Sequence, residues 1–173
     1  MRKGDVANPR PWGVSQLDWQ SLEQSTRTAI AAVAAILVAR EIKLSEYYWA
    51  PITTLVVMQS TLGAALGVSR DRIIGTALGA AAGALLAPHF GSDTIIFGVA
   101  VLVLGLICAV LRIGSSAYRF SGITAAIIML IPRSGAAWLV ATDRFIEVSV
   151  GVAVGLLLTA VWPVREMQPA DGR

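Results

Sequence analysis

The chain has 173 residues, of which 55% are apolar and 14% charged, with a net charge of +3 and a mean hydropathy of +0.68. Soluble domains are nearer to roughly 45–50% apolar and 25% charged, so this composition excludes an ordinary soluble domain. The charged residues lie in short clusters between uncharged apolar runs. This pattern predicts an integral membrane protein.

The composition also excludes several classes of site. Cys108 is the only cysteine and His89 the only histidine, so we expect no disulfide framework and no metal site of the usual types. No nucleophile and base pair and no phosphate-binding loop is visible, so we expect no catalytic residue, no cofactor and no enzyme activity. The basic residues are spread along the chain instead of forming one stripe, which argues against nucleic acid as a partner.

The first twenty residues are polar and show no cleavable signal sequence. We expect residues 1–20 to be a cytoplasmic N-terminal segment. A membrane span needs about 20 mostly apolar residues, and six windows approach this requirement. In chain order they are residues 21–39, 47–68, 73–87, 94–111, 120–131 and 145–161.

Two of these windows have irregular features. The second opens on the aromatic residues Tyr47, Tyr48 and Trp49 and contains Gly63 and Gly67 near its end, so its usable part is residues 49–62. The fifth is short or broken, because a proline and an arginine separate residues 120–131 from the apolar stretch 135–141. The sequence thus predicts an all-α, six-helix membrane bundle.

The distribution of lysine and arginine over alternate loops predicts the orientation of the bundle, because these residues favour the cytoplasmic side. With the N-terminus inside, the inner segments hold ten basic residues and the outer segments four. We therefore expect a multi-pass protein of the inner (plasma) membrane with both termini cytoplasmic. The transmembrane domain would cover residues 21–163, followed by a cytoplasmic tail at 164–173.

The sequence repeats itself at an offset of 72 residues. Twelve of the twenty-four residues 63–86 recur at 135–158, including Asp71-Arg72 as Asp143-Arg144. An offset of this length holds three helices, an odd number, so the two copies would lie upside down relative to each other. The sequence therefore predicts two inverted three-helix repeats, with residues 27–90 and 99–162 related by a rotation of about 180°.

A stripe of small residues follows each arginine of the repeat at helical spacing. Such stripes let two helix backbones approach closely in lipid, and we expect them to be packing faces. Their glycines are Gly75, Gly79 and Gly83 in the first copy and Gly151 and Gly155 in the second. In the second copy Glu147 takes the place of the first glycine, where it could pair with Arg144.

The polar residues at the head of these stripes allow two interpretations. Ser69 and Thr142 would cap their helices, with Asp71 and Asp143 at the positive ends. Arg72 and Arg144 are either headgroup anchors or contacts for an anion, since guanidinium grips carboxylates through two parallel hydrogen bonds. Gln59 lies in an apolar span, where its side chain could line a path for the substrate or form a hydrogen bond to another helix.

Several motifs resemble the fusaric acid resistance and aromatic acid exporter family, over about residues 27–165. The family likeness rests on Tyr48-Trp49-Ala50-Pro51-Ile52-Thr53 with Val57-Met58-Gln59, on Arg72-Ile73-Ile74-Gly75 and on Asp143-Arg144-Phe145 through Trp162-Pro163. The resemblance implies an inner-membrane six-helix unit, efflux of aromatic carboxylic acids and kinship with plant aluminium-activated malate transporters. Trp49, Arg72 and Arg144 stand at matching positions.

From the residues and the resemblance together we expect an exporter or facilitator of small organic anions, in particular of aromatic carboxylic acids. Its substrate-binding residues would be Arg72, Arg144, Trp49 and Gln59. The chain lacks the soluble domain and second membrane half of longer members, so we expect a homodimer in the lipid bilayer. Two alternatives stay open: an organic-anion channel, and a membrane scaffold or partner subunit that transports nothing.

Overall fold

A computed structural model describes residues 19–59, 61–131 and 135–163, and these contain six α-helices. The predicted cytoplasmic tail and nearly all of the predicted N-terminal segment lie outside the described residues. The helices are α1 (Trp19–Glu41), α2 (Trp49–Val57), α3 (Leu62–Phe90), α4 (Thr94–Val110), α5 (Ser115–Leu130) and α6 (Ala137–Val161). The prediction of an all-α membrane fold is confirmed.

Three helices are long and apolar enough to cross a membrane by themselves: Ser21–Glu41 within α1, all of α3 and all of α6. Helix α4 is apolar but shorter. The nine residues of α2 extend only about 13 Å, which is less than half of a bilayer core of about 30 Å. The second predicted window, 47–68, is therefore wrong as a single span.

The chain breaks inside that window although its residues stay uncharged. Met58 is extended, with φ −61° and ψ 107°, and Thr61 begins a new helix by accepting a hydrogen bond from the Ala64 amide at 3.3 Å. Gly63 and Gly67 consequently belong to α3. The break was not predicted because its residues are uncharged, and a search for uncharged windows does not report the continuity of backbone hydrogen bonds.

Helices α3 and α6 both begin earlier than predicted. Arg70, Asp71 and Arg72 ended the apolar window, yet α3 runs through them from Leu62. Residues 137–141, predicted to continue the fifth span, open α6 instead. Ser69, Asp71, Thr142 and Asp143 therefore lie within helices, and their prediction as N-terminal caps is wrong.

Helix α3 is the centre of the bundle and packs mainly against α5 and α6, while α6 also packs against α2. Helix α1 covers α2 and α6, and α4 covers α5. Val68 and Ile73 of α3 pack with Val148 and Val152 of α6, whereas Ala80 and Ala84 pack with Ala141 and Ala137. This order shows that α3 and α6 run antiparallel.

Candidate functional site

The most connected polar group of the bundle is a buried cluster around Arg144, here called the Arg144 cluster: Arg144, Glu46, Glu147 and Trp49. Arg144 pairs with Glu46, which lies just before α2, and with Glu147 one turn along α6 at 3.1 Å. Its guanidinium carbon lies 4.2 Å from the centre of the Trp49 ring. Two carboxylates thus neutralise this arginine inside the protein.

The acids of the Arg144 cluster are themselves held in place. Glu147 is fully buried and accepts a hydrogen bond from the Glu46 amide at 3.0 Å. The Trp49 indole N–H donates to the Glu46 carboxylate at 3.0 Å. Because hydrogen bonds of this kind fix both acids against the guanidinium, the cluster joins α2 to α6 as a structural unit.

Arg72 is also buried, with 6% of its surface exposed, but its surroundings differ. Its guanidinium donates to the Thr53 hydroxyl at 3.4 Å and lies 4.6 Å above the Phe120 ring. Within the described residues no carboxylate lies within ion-pair distance of Arg72, and its Nε has no hydrogen-bond partner. Among the described residues, this arginine is therefore a buried cation without a carboxylate partner.

The structure brings three of the four predicted binding residues together. Arg144 contacts Trp49 in the first turn of α2, and Arg72 contacts Thr53 one turn further along the same helix. The two guanidinium groups are close enough to repel each other.

Gln59 does not join this group. It lies in the break between α2 and α3, where its side-chain amide donates to the Val56 carbonyl at 3.2 Å. The backbone carbonyl of Gln59 accepts a hydrogen bond from the Arg27 side chain. Gln59 thus belongs to a second polar site at the other end of α2.

Arg27 organises that second site and was not predicted from the sequence. It is fully buried and donates to the Trp162 carbonyl at 2.8 Å and to the Gln24 side chain at 3.0 Å, besides Gln59. Glu23 accepts a hydrogen bond from the Trp162 indole at 2.8 Å. Arg27 therefore ties α1 to the break after α2 and to the end of α6.

The glycines of the two stripes lie against short helices. A Cβ atom at Gly79 would stand 2.2 Å from the Ser121 carbonyl oxygen on α5, and one at Gly151 would stand 2.3 Å from the Ala50 carbonyl oxygen on α2. The remaining stripe residues, Gly75, Gly83 and Gly155, have neighbours on the same two helices. The packing of these faces holds Arg72 and Arg144 at the centre of the bundle.

The part of the chain that the structure describes contains no cluster of metal-binding side chains. No group of three or more His, Cys, Asp or Glu side chains there lies close enough to hold a metal ion. The groups found around Arg72 are instead a hydroxyl and an aromatic ring, and a guanidinium can bind a carboxylate through two parallel hydrogen bonds.

Comparison with known families gives a match to the family described as fusaric acid resistance protein-like, over residues 29–158. The chain belongs to this family. The match includes Trp49, Gln59, Arg72 and Arg144 and begins two residues after Arg27. Family membership and the sequence resemblance agree.

Curated relatives of this family member include the Uncharacterized transporter YdhK of Escherichia coli strain K12, which is 32% identical over 170 residues. The protein of the same name in Salmonella typhimurium is 31% identical over 146 residues. These alignments cover 90% and 79% of this chain but 25% and 22% of the relatives. The chain thus spans about a quarter of their length, and no solved structure matches it.

Proposed function

We propose that this chain is the membrane unit of a transporter that moves small organic anions, in particular aromatic carboxylates, across the inner membrane. The family and the name of its relatives support a role in membrane transport rather than catalysis. The proposed working form is a homodimer with cytoplasmic termini. The observation that carries the proposal is Arg72, a buried arginine that has no carboxylate partner in the described part of the chain.

A charge inside a membrane protein is costly unless it has a counter-charge or faces a polar cavity. Arg144 meets this requirement with Glu46 and Glu147. Arg72 has a hydroxyl and an aromatic ring in their place. A bound carboxylate would supply the missing counter-charge and could accept two parallel hydrogen bonds from the guanidinium.

Aromatic carboxylates fit this position better than aliphatic ones because Phe120 provides an apolar ring beside the guanidinium. The Arg72 guanidinium carbon lies over the Phe120 ring, 4.6 Å from its centre, so an anion bound to the guanidinium would have an aromatic ring close by. A ligand with a carboxylate attached to a ring presents the complementary pair of surfaces.

The test is uptake of radiolabelled benzoate into liposomes that contain the purified full chain. We expect saturable flux for the wild type, its loss in Arg72→Gln, and reduced flux in Arg72→Lys because an ammonium group lacks the bidentate geometry. Arg70→Gln is the matched control, since Arg70 is exposed on the same helix. It should transport at the wild-type rate.

The outcomes separate the proposal from its alternatives. If Arg72→Gln transports benzoate at the wild-type rate, Arg72 would be a headgroup anchor and not a contact for the anion. A passive current that follows the anion gradient, without proton coupling, would identify a channel. If neither the wild type nor any variant moves benzoate while their oligomers in the membrane stay intact, the result would favour a scaffold or partner subunit.

A further inference from the structure

Several hydroxyls that are buried or half-buried on the described helices bond to the carbonyl one turn earlier. Such bonds satisfy a hydroxyl within its own helix. They occur at distances of 2.7–3.0 Å for Thr28, Thr54, Ser149 and Thr159. A buried hydroxyl without a partner therefore departs from the pattern of the molecule and incurs a desolvation cost.

Ser69 and Thr76 depart from this pattern. They are 4% and 0% exposed, and the oxygen of each hydroxyl has no hydrogen-bond partner within the described residues. They lie three residues before and four residues after Arg72, whose Nε is also unpaired. Three buried polar groups with unused hydrogen-bonding capacity thus follow one another along α3.

These three residues share one helix face. At 100° per residue they fall within an arc of about 60°, and they extend over about 10 Å along the axis. At the middle position Arg72 faces Thr53 of α2 and Phe120 of α5. We call Ser69, Arg72 and Thr76 the α3 donor row.

The positions 72 residues later differ from the α3 donor row in the residues that surround the arginine. The two hydroxyl residues are replaced there by Ala141 and Val148, and Gly75 is replaced by Glu147. The arginine at the centre of this second row, Arg144, is neutralised by acids of the protein. The helix face around Arg144 therefore carries Glu147 and lacks the two hydroxyls, whereas the face around Arg72 carries the two hydroxyls and lacks that acid.

We propose that Ser69, Arg72 and Thr76 form a binding row for a carboxylate, in which the hydroxyls hold the anion on either side of the guanidinium. This inference rests on the proposed function and adds to it the residues that receive the anion before and after Arg72. The two hydroxyls lie about 10 Å apart along the helix. One carboxylate thus occupies them in succession and not together.

The test measures saturable binding of benzoate to the purified full chain in mild detergent by titration calorimetry. Ser69→Ala and Thr76→Val install residues of the kind found in the second copy. Each variant removes one hydrogen bond to a charged acceptor at one of the two alternative positions and should weaken overall benzoate binding by about twofold. The double variant Ser69→Ala/Thr76→Val affects both positions and should weaken it roughly tenfold. Benzamide, which keeps the ring but lacks the charge, should not bind.

Thr142→Val is the matched control, because the Thr142 hydroxyl bonds to the Trp138 carbonyl on the exposed side of α6. It should bind benzoate as the wild type does. Ser69→Thr and Thr76→Ser keep a hydroxyl and should retain affinity. Melting temperatures should change little in all variants, since the native structure gives Ser69 and Thr76 no hydrogen bond to lose.

Two different results would overturn two different claims. If the wild type shows no saturable benzoate binding, the proposed function fails. If the wild type binds benzoate and Arg72→Gln does not, while Ser69→Ala and Thr76→Val keep wild-type affinity, only the α3 donor row fails. A loss of affinity in the hydroxyl-keeping variants equal to that in Ser69→Ala and Thr76→Val would also overturn the row, because shape and not hydrogen bonding would then be decisive.

Discussion

At the scale of single residues, two arginines at repeated positions have opposite consequences for stability. Arg144 and its acids form a buried ion cluster, and removal of one partner from such a cluster leaves an uncompensated charge. Arg72 is already uncompensated within the described residues. The same substitution should therefore destabilise one position strongly and the other weakly.

We predict that Arg144→Gln lowers the free energy of unfolding by about 3–5 kcal/mol, as is usual when one partner of a buried ion pair is lost. Arg72→Gln should change it by less than about 1 kcal/mol, because it removes a buried charge and only one long hydrogen bond, of 3.4 Å. Thermal melts of both variants in the same detergent measure the difference. Equal losses at the two positions would show that Arg72 is as firmly paired as Arg144.

The sequence revealed only the local part of these contacts. The Arg144 and Glu147 pair could be predicted because the two residues are three apart on one helix. Glu46 and Arg27 could not, because Glu46 meets Arg144 across 98 positions and Arg27 meets Trp162 across 135. An acid directly before an aromatic run, and an arginine within an alanine-rich span, were the available signals.

At the scale of helices, glycine spacing predicted the packing faces better than hydropathy predicted the helix ends. The stripes depend on residues three and four apart, which stay on one face wherever the helix begins. Helix ends depend on local backbone hydrogen bonds, such as the one that Thr61 accepts at the start of α3. The predicted windows were wrong for this reason at the charged residues inside α3 and at the uncharged break after α2.

We predict that Gly79→Ala destabilises the protein by about 1–3 kcal/mol, the usual cost of overpacking. The added Cβ atom would stand 2.2 Å from the Ser121 carbonyl oxygen, which is backbone and cannot rotate away. Gly67→Ala is the control on the same helix, since a Cβ atom there meets nothing within 4 Å. It should be neutral or stabilising by up to about 1 kcal/mol.

Melting temperatures of the two alanine variants in detergent provide the measurement. If Gly79→Ala melts with the wild type, α3 and α5 must separate without cost, and the close packing between them would not be essential to the bundle. Gly151→Ala should reproduce the Gly79→Ala effect, because its Cβ atom would stand 2.3 Å from the Ala50 carbonyl oxygen.

At the scale of the whole molecule, the two copies of the repeat exchange partners. Glycines of α3 pack on α5, glycines of α6 pack on α2, and α3 and α6 are antiparallel. Gly79 and Gly151 are 72 positions apart, whereas the threonines that they contact, Thr124 and Thr53, are 71 apart. The inverted repeat stays a prediction, which these contacts favour with a one-residue shift between α2 and α5.

The orientation of the molecule in the membrane is a further prediction. The short connection between α3 and α4, residues 91–93, holds no lysine or arginine, whereas Arg112 and Arg119 flank the start of α5. Positive residues favour the cytoplasmic side of a membrane. We therefore expect Ser92 outside and Ser116 inside the cell.

Labelling of single cysteines in intact cells measures this orientation. The natural Cys108 is first replaced by alanine, which its buried position should tolerate. Ser92→Cys should react with an impermeant maleimide, because Ser92 is exposed beyond the end of α3. Ser116→Cys should react only after the membrane is permeabilised, and that reaction shows that the thiol is accessible. The reverse pattern would place the termini outside. Because Arg72 lies on the same side of the α3 centre as the residues near Ser116, the reversed molecule would also present its unpaired arginine to anions from outside, and the proposed export would become uptake.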